Sequence, residues 1–95
     1  MKIYIAGPMT GLPNFNREAF HKMAESVTAS GSVALNPATL PDGLSQHEYM
    51  DICMAMIRAA NGILLLDGWQ LSAGARAEHA LAEKLGLAIY HHWTV

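Results

Sequence analysis

Residues 62–67 read GILLLD, an apolar run of strand length with no polar side chain before the closing aspartate. A strand that alternates polar and apolar residues can leave one face in water, whereas an unbroken apolar strand must be covered on both. Sheets are covered on both faces when parallel strands are joined by crossover helices. The rest of the chain has the segments such a fold needs. KIYIA over residues 2–6 is a short β-forming run ended by Gly7-Pro8. SVALN over 32–36 is another, stopped by Pro37, and LAIYHH over 87–92 reads as a last strand.

Helical patterns separate these strands. In NFNREAFHKMAESVTAS, Phe20, Met23, Ala24 and Val27 share one face, Asn14 or Asn16 is placed to cap the start, and Gly31 ends the helix. PATLPDGL is a loop. In SQHEYMDICMAMIRAAN, Ser45 and Glu48 have the spacing of a capping box. The helix behind that box is apolar almost all round, which implies burial on more than one side. A third helix follows DGWQLSAG. The order β-α-β-α-β-α-β predicts an α/β fold: a parallel, doubly wound sheet of about four strands in the order 2-1-3-4, within one domain over residues 1–95. Ligands in such sheets bind beyond the carboxyl ends of the strands.

Composition narrows the function classes. The net charge is −2 with no basic run, so neither nucleic acid nor an anionic membrane is an expected partner. No stretch approaches the roughly 20 apolar residues of a membrane span. The lone Cys53 excludes an intrachain disulfide and fits a reducing cytoplasm, which is the expected location. His91 and His92, placed on a strand, point to opposite faces, and no histidine, cysteine or carboxylate spacing suits a metal. Neither metal nor cofactor is expected.

Glu78 is the anomaly. Leu81, Ala82 and Leu85 lie on its face of the third helix, while Arg76, His79 and Glu83 lie on the opposite one. A carboxylate on a core face costs several kcal/mol unless it is paired, hydrogen-bonded or neutral. Two readings stand: a Glu at the edge of the stripe reaching water, or a reactive carboxylate facing a cleft. Ser72 and the backbone of Ser-Ala-Gly before the helix form either a simple N-cap or an anion site. AGPMTG (Gly7, Pro8, Met9, Thr10, Gly11) is either a turn or a place where backbone closely approaches a ligand, and it is neither a dinucleotide nor a P-loop motif. Met50, Met54 and Met56 read as core filler, Cys53 as packed, and Asp51 as solvated.

YIAGPMTG, NPATLPDG and LLLDGWQLSAGARAEHALAEKLGLAIY together resemble the nucleoside 2-deoxyribosyltransferase-like superfamily, in particular its small bacterial and phage branch of the DUF4406 type. The resemblance runs through nearly the whole chain. It implies a flavodoxin-like three-layer α/β/α fold and cleavage or transfer of an N-glycosidic bond in a (deoxy)nucleoside or nucleoside 5′-monophosphate. By the same resemblance Glu78, four residues after Gly74 in the Ser72-x-Gly74-Ala75 motif, is the nucleophile. Tyr4 orients it. Ser72 matches the Ser with which the related deoxynucleoside-monophosphate hydrolases help to hold a 5′-phosphate, where the transferases acting on free nucleosides carry an Asp, and so the resemblance implies a nucleotide rather than a nucleoside ligand. The pattern departs from that of the monophosphate hydrolases at Pro8, where they have Ser, and at Thr10, where they have Arg, and from the family's at Cys53, the register of its acid. Asp67 then stands as candidate acid or as a cap, and Trp69 either stacks on a base or covers the sheet end. The alternative to turnover is a nucleotide-binding module that senses or sequesters its ligand. The apolar second helix, together with the resemblance, predicts a homodimer or larger homo-oligomer.

Overall fold

The computed structural model describes residues 1–93. Four strands, β1 (Lys2–Ala6), β2 (Val33–Leu35), β3 (Gly62–Leu65) and β4 (Ala88–Tyr90), alternate with α1 (Arg17–Ala29), α2 (Gln46–Arg58) and α3 (Ala73–Lys84). All pairings are parallel and the order is β2-β1-β3-β4. This is the order read from the sequence. Tyr4 sits between Leu35 and Ile63 in the ladder.

Alternation along β1 and β3 sorts the core into two faces. Ile3, Ile5, Leu64 and Leu66 pack with Phe20 and Val27 of α1. Tyr4, Ala6, Ile63 and Leu65 pack with Cys53 and Ile57 of α2 and Ala82 of α3. The three layers thus carry one helix on one face and two on the other. Among the described residues no helix is long and apolar enough to cross a membrane.

The capping box that starts α2 is present in both directions, Ser45 Oγ accepting from the Glu48 N–H and Glu48 accepting from the Ser45 N–H. The start of α1 differs from expectation. Asn14, Phe15 and Asn16 all lie in the left-handed region, and neither asparagine side chain caps the helix. Asn16 instead donates Nδ2–H to the Pro8 carbonyl at 3.0 Å, and Asn14 Oδ1 accepts from Arg17. Within the single chain α2 is not buried on more than one side: Cys53 and Ile57 face the core while Ile52 is exposed. β4 ends at Tyr90, so His91 and His92 lie past the strand and its alternation does not apply to them. Leu85, expected on the core face of α3, is exposed where the helix ends.

Candidate active site

The carboxyl end of β1 and the starts of α2 and α3 meet at one cleft. Gly7 carries the chain out of β1 past β3. A Cβ there would lie 2.8 Å from the Leu66 Cβ, closer than side chains pack, so only glycine lets the backbone pass. On the other side Ser72 caps α3, its Oγ accepting from the Ala75 N–H at 3.2 Å. Met9 and Thr10 from the first loop, Pro37 from the second, and Gln46, Tyr49 and Met50 from the start of α2 close the walls.

Glu78 lies on the floor, 7% exposed. The Tyr4 hydroxyl, itself fully buried, donates to its Oε2 at 2.5 Å. The Cys53 thiol is buried in the same core cluster as Tyr4. Burial pushes the Glu78 carboxyl up to about 7, only partly offset by hydrogen bonding from Tyr4 and Cys53. Burial and then the Glu78 charge hold the Tyr4 phenol well above its ordinary value, so Tyr4 stays a neutral donor. Burial likewise pushes the Cys53 thiol up to about 11. The result is a desolvated carboxylate, fixed by one strong donor and titrating near neutrality, at the bottom of an open cleft. Such a group can act as nucleophile or as base.

Eight of the residues singled out in the sequence come together here: Tyr4, Gly7, Met9, Thr10, Ser72, Gly74, Ala75 and Glu78. Four do not line the cleft. Pro8 lies beside Gly68, and Gly11 sits in an exposed turn with a positive φ. Asp67 is exposed and lines a separate groove of about 570 Å³ with Lys22, His91, His92 and Trp93. Trp69 packs its ring on His79, with centroids 4.5 Å apart, on the outer side of α3. That second groove is larger than the cleft but has no buried titratable group on its walls.

The sequence reading missed Gln46, Tyr49, Met50, Pro37 and Phe20. The signal was available, since the capping box fixes where α2 begins and a crossover helix in a parallel sheet begins near the carboxyl ends of the strands. Tyr49 donates its hydroxyl to the Pro37 carbonyl at 2.7 Å. The cleft encloses about 80 Å³, less than the roughly 300 Å³ or more of ordinary small-molecule pockets. It continues into a hollow of about 140 Å³ that shares Met9, Thr10, Gln46 and Tyr49 and adds Phe15, Arg17 and Asp42.

The model of a family described as a domain of unknown function, DUF4406, matches residues 1–91. No curated protein sequence matches the chain. Among solved structures it is similar to a 2-desoxiribosyltransferase from Leishmania mexicana, with a TM-score of 0.75 at 22% identity. That alignment covers 93% of this chain and 61% of the neighbour, so the chain spans about three fifths of the neighbour's length. The likeness is one of fold.

Proposed function

The chain belongs to the DUF4406 domain family, and from the carboxylate at the floor of its cleft we propose that it cleaves or transfers the N-glycosidic bond of a (deoxy)nucleoside or nucleoside 5′-monophosphate. The observation that carries this reading is the buried Tyr4–Glu78 pair opening onto the cleft. The deoxyribosyltransferase fold of the Leishmania protein supports it. In this reading the domain is one nucleoside 2-deoxyribosyltransferase-like unit working in the cytoplasm.

Glu78, with Oε2 held by Tyr4, attacks C1′ through its other oxygen from the face opposite the base. The C1′–N bond breaks and its electron pair leaves with the base, giving a glycosyl ester. Water, or a second base, then attacks C1′ and frees the carboxylate, with overall retention as in a retaining glycosidase. The anionic carboxylate also stabilises the oxocarbenium-like charge before bonding to it. Ser72, Gly74 and Ala75 hold the far end of the sugar. Asp67 faces a different groove and receives no part in proton delivery, nor does Trp69 in base stacking. Protonation of the departing base falls to water at the open mouth.

Incubation with deoxynucleosides and their monophosphates should release free base, and Glu78→Ala should lower release by about a thousandfold or more, the scale of losing a covalent nucleophile. Undiminished release from Glu78→Ala would falsify the nucleophile assignment. The binding-module reading is favoured by one feature: Cys53, a thiol held protonated by burial, stands on α2 beside the pair. Tight binding by calorimetry with no base released after long incubation would select it.

We also propose that a second copy covers the outer side of α2, where Ile52 is exposed, and helps to wall the small cleft. Size-exclusion chromatography with light scattering should give a dimer or larger species at micromolar concentration. A monomer across that range contradicts it.

A further inference from the structure

We infer, resting on the glycosyl reading above, that Tyr49 is a positioning residue: its hydroxyl braces the two loops that wall the cleft, and ligand binding depends on that brace. The brace begins in the core. Tyr49, Cys53 and Ile57 recur at a spacing of four and share one face of α2. The Tyr49 ring packs against the buried cluster that holds Tyr4, Cys53 and Ile57. Its backbone is fixed as well, because the capping box sets the start of α2 and the Tyr49 N–H donates to the Ser45 carbonyl at 2.9 Å. A ring held in this way carries its hydroxyl to a set place on the cleft wall.

There the hydroxyl meets both loops. It donates to the Pro37 carbonyl, after β2, at 2.7 Å and stands 3.6 Å from the Met9 Sδ, after β1. It has one proton to give, and the carbonyl is the strong acceptor where the thioether is a weak one. The Pro37 bond therefore carries the brace and Met9 rests against it. Burial, the largest influence, holds the phenol above its ordinary value, so Tyr49 stays a donor across the neutral range. Among the described residues, side chains hydrogen-bond to the stretch Pro8–Gly11 at two points, Asn16 on the Pro8 carbonyl and Tyr49 on Met9. Of these two, Tyr49 is the one that lines the cleft, and it lines the adjoining hollow too. Glu78 is held by Tyr4 and not by Tyr49. All of these contacts are made within one chain and do not rely on a second copy. Without the brace the loops sample open arrangements, and apparent affinity falls in proportion to the closed fraction. The net worth of one neutral hydrogen bond bounds that fall at about two- to tenfold.

The test is Tyr49→Phe in the full chain, which keeps the ring and removes the hydroxyl. Amide hydrogen exchange followed by NMR reads the brace without reference to activity. The Leu12 N–H donates to the Met9 carbonyl and the Leu40 N–H to the Pro37 carbonyl. Both should exchange about two- to tenfold faster in the variant. The Gly31 and Gly86 N–H groups, bonded in the turns before β2 and β4, should keep their rates. Base released from deoxynucleosides and their monophosphates reads the consequence. KM should rise about two- to tenfold while kcat stays within about twofold and the acid limb of the pH–rate profile does not move. Where binding occurs without release, the dissociation constant takes the place of KM. Unchanged exchange at Leu12 and Leu40 overturns the brace and leaves the glycosyl reading standing. Faster exchange with an unchanged KM or Kd overturns the dependence of binding on it. A fallen kcat or a shifted limb overturns the inference by placing Tyr49 in the chemistry. Neither binding nor release by the unaltered protein overturns the glycosyl reading, and the inference falls with it.

Discussion

The two faces of the sheet are made from the same strands and kept for different ends. Toward α1, Ile3, Ile5, Leu64 and Leu66 meet Phe20 and Val27, all hydrocarbon. Toward α2 and α3, one residue along each time, Tyr4 stands where an aliphatic side chain would pack best, with Cys53 and Glu78 beside it. Hydrocarbon burial stabilises the first face at about 25 cal/mol per Å². The second face gives up part of that gain to hold a carboxylate out of water. The difference separates a face selected for packing from one selected for chemistry, and it can be tested by changing one residue on each.

Leu64→Ala, on the hydrocarbon face, should produce the largest stability effect. Loss of a fully buried leucine costs about 3–4 kcal/mol. Chemical denaturation should show that loss across the acid and neutral range, because the buried members of that cluster, Ile3, Val27 and Leu64, carry no titrating group. Activity per folded molecule should be unchanged. Tyr4→Phe, on the other face, should act more weakly on stability and differently on function. The ring is kept and one hydrogen bond to a charged group is lost, about 1–3 kcal/mol when Glu78 is ionised. Because that bond lowers the Glu78 pKa, its loss should move the acid limb of the pH–rate profile above pH 7, with about tenfold lower activity at neutrality. A profile merely scaled down, without a shift, would mean that Tyr4 packs but does not tune the carboxylate.

Much of this division was legible in the sequence. The unbroken GILLLD run required cover on both faces, and Leu64 and Leu65 do face opposite helices. The helical spacing of Glu78 with Ala82 put the carboxylate on the core face, where it is found 7% exposed. What periodicity could not supply was the third dimension of the loops. Asp67 and Trp69 follow β3 at the correct end of the sheet, with a turn between them at Gly68, φ +84°, yet neither lines the cleft. Sequence position fixes the end of the sheet that a loop occupies but not the side. The left-handed turn over Asn14–Asn16 was hidden for a related reason. Asparagine tolerates that region but Phe15 does not favour it, so local propensity pointed to an ordinary helix start. Gln46 and Tyr49 stand in the first turn of α2, QHEY, where spacing alone does not separate a cleft wall from a solvated helix start.

The most direct measurement is the pH dependence of unfolding free energy for the unaltered protein and for Glu78→Gln. The Glu78 carboxyl rises from an ordinary 4.5 in the open chain to about 7 in the fold. A raised folded pKa means that its stabilising contribution is complete below about pH 4.5 and is lost as pH climbs through 7. Glutamine keeps an acceptor for Tyr4 and never ionises. The two proteins should therefore match near pH 4, and Glu78→Gln should be ahead by roughly 3 kcal/mol near pH 8. Parallel curves, with the same difference at both pH values, would contradict a buried carboxylate poised near neutrality at the floor of the cleft.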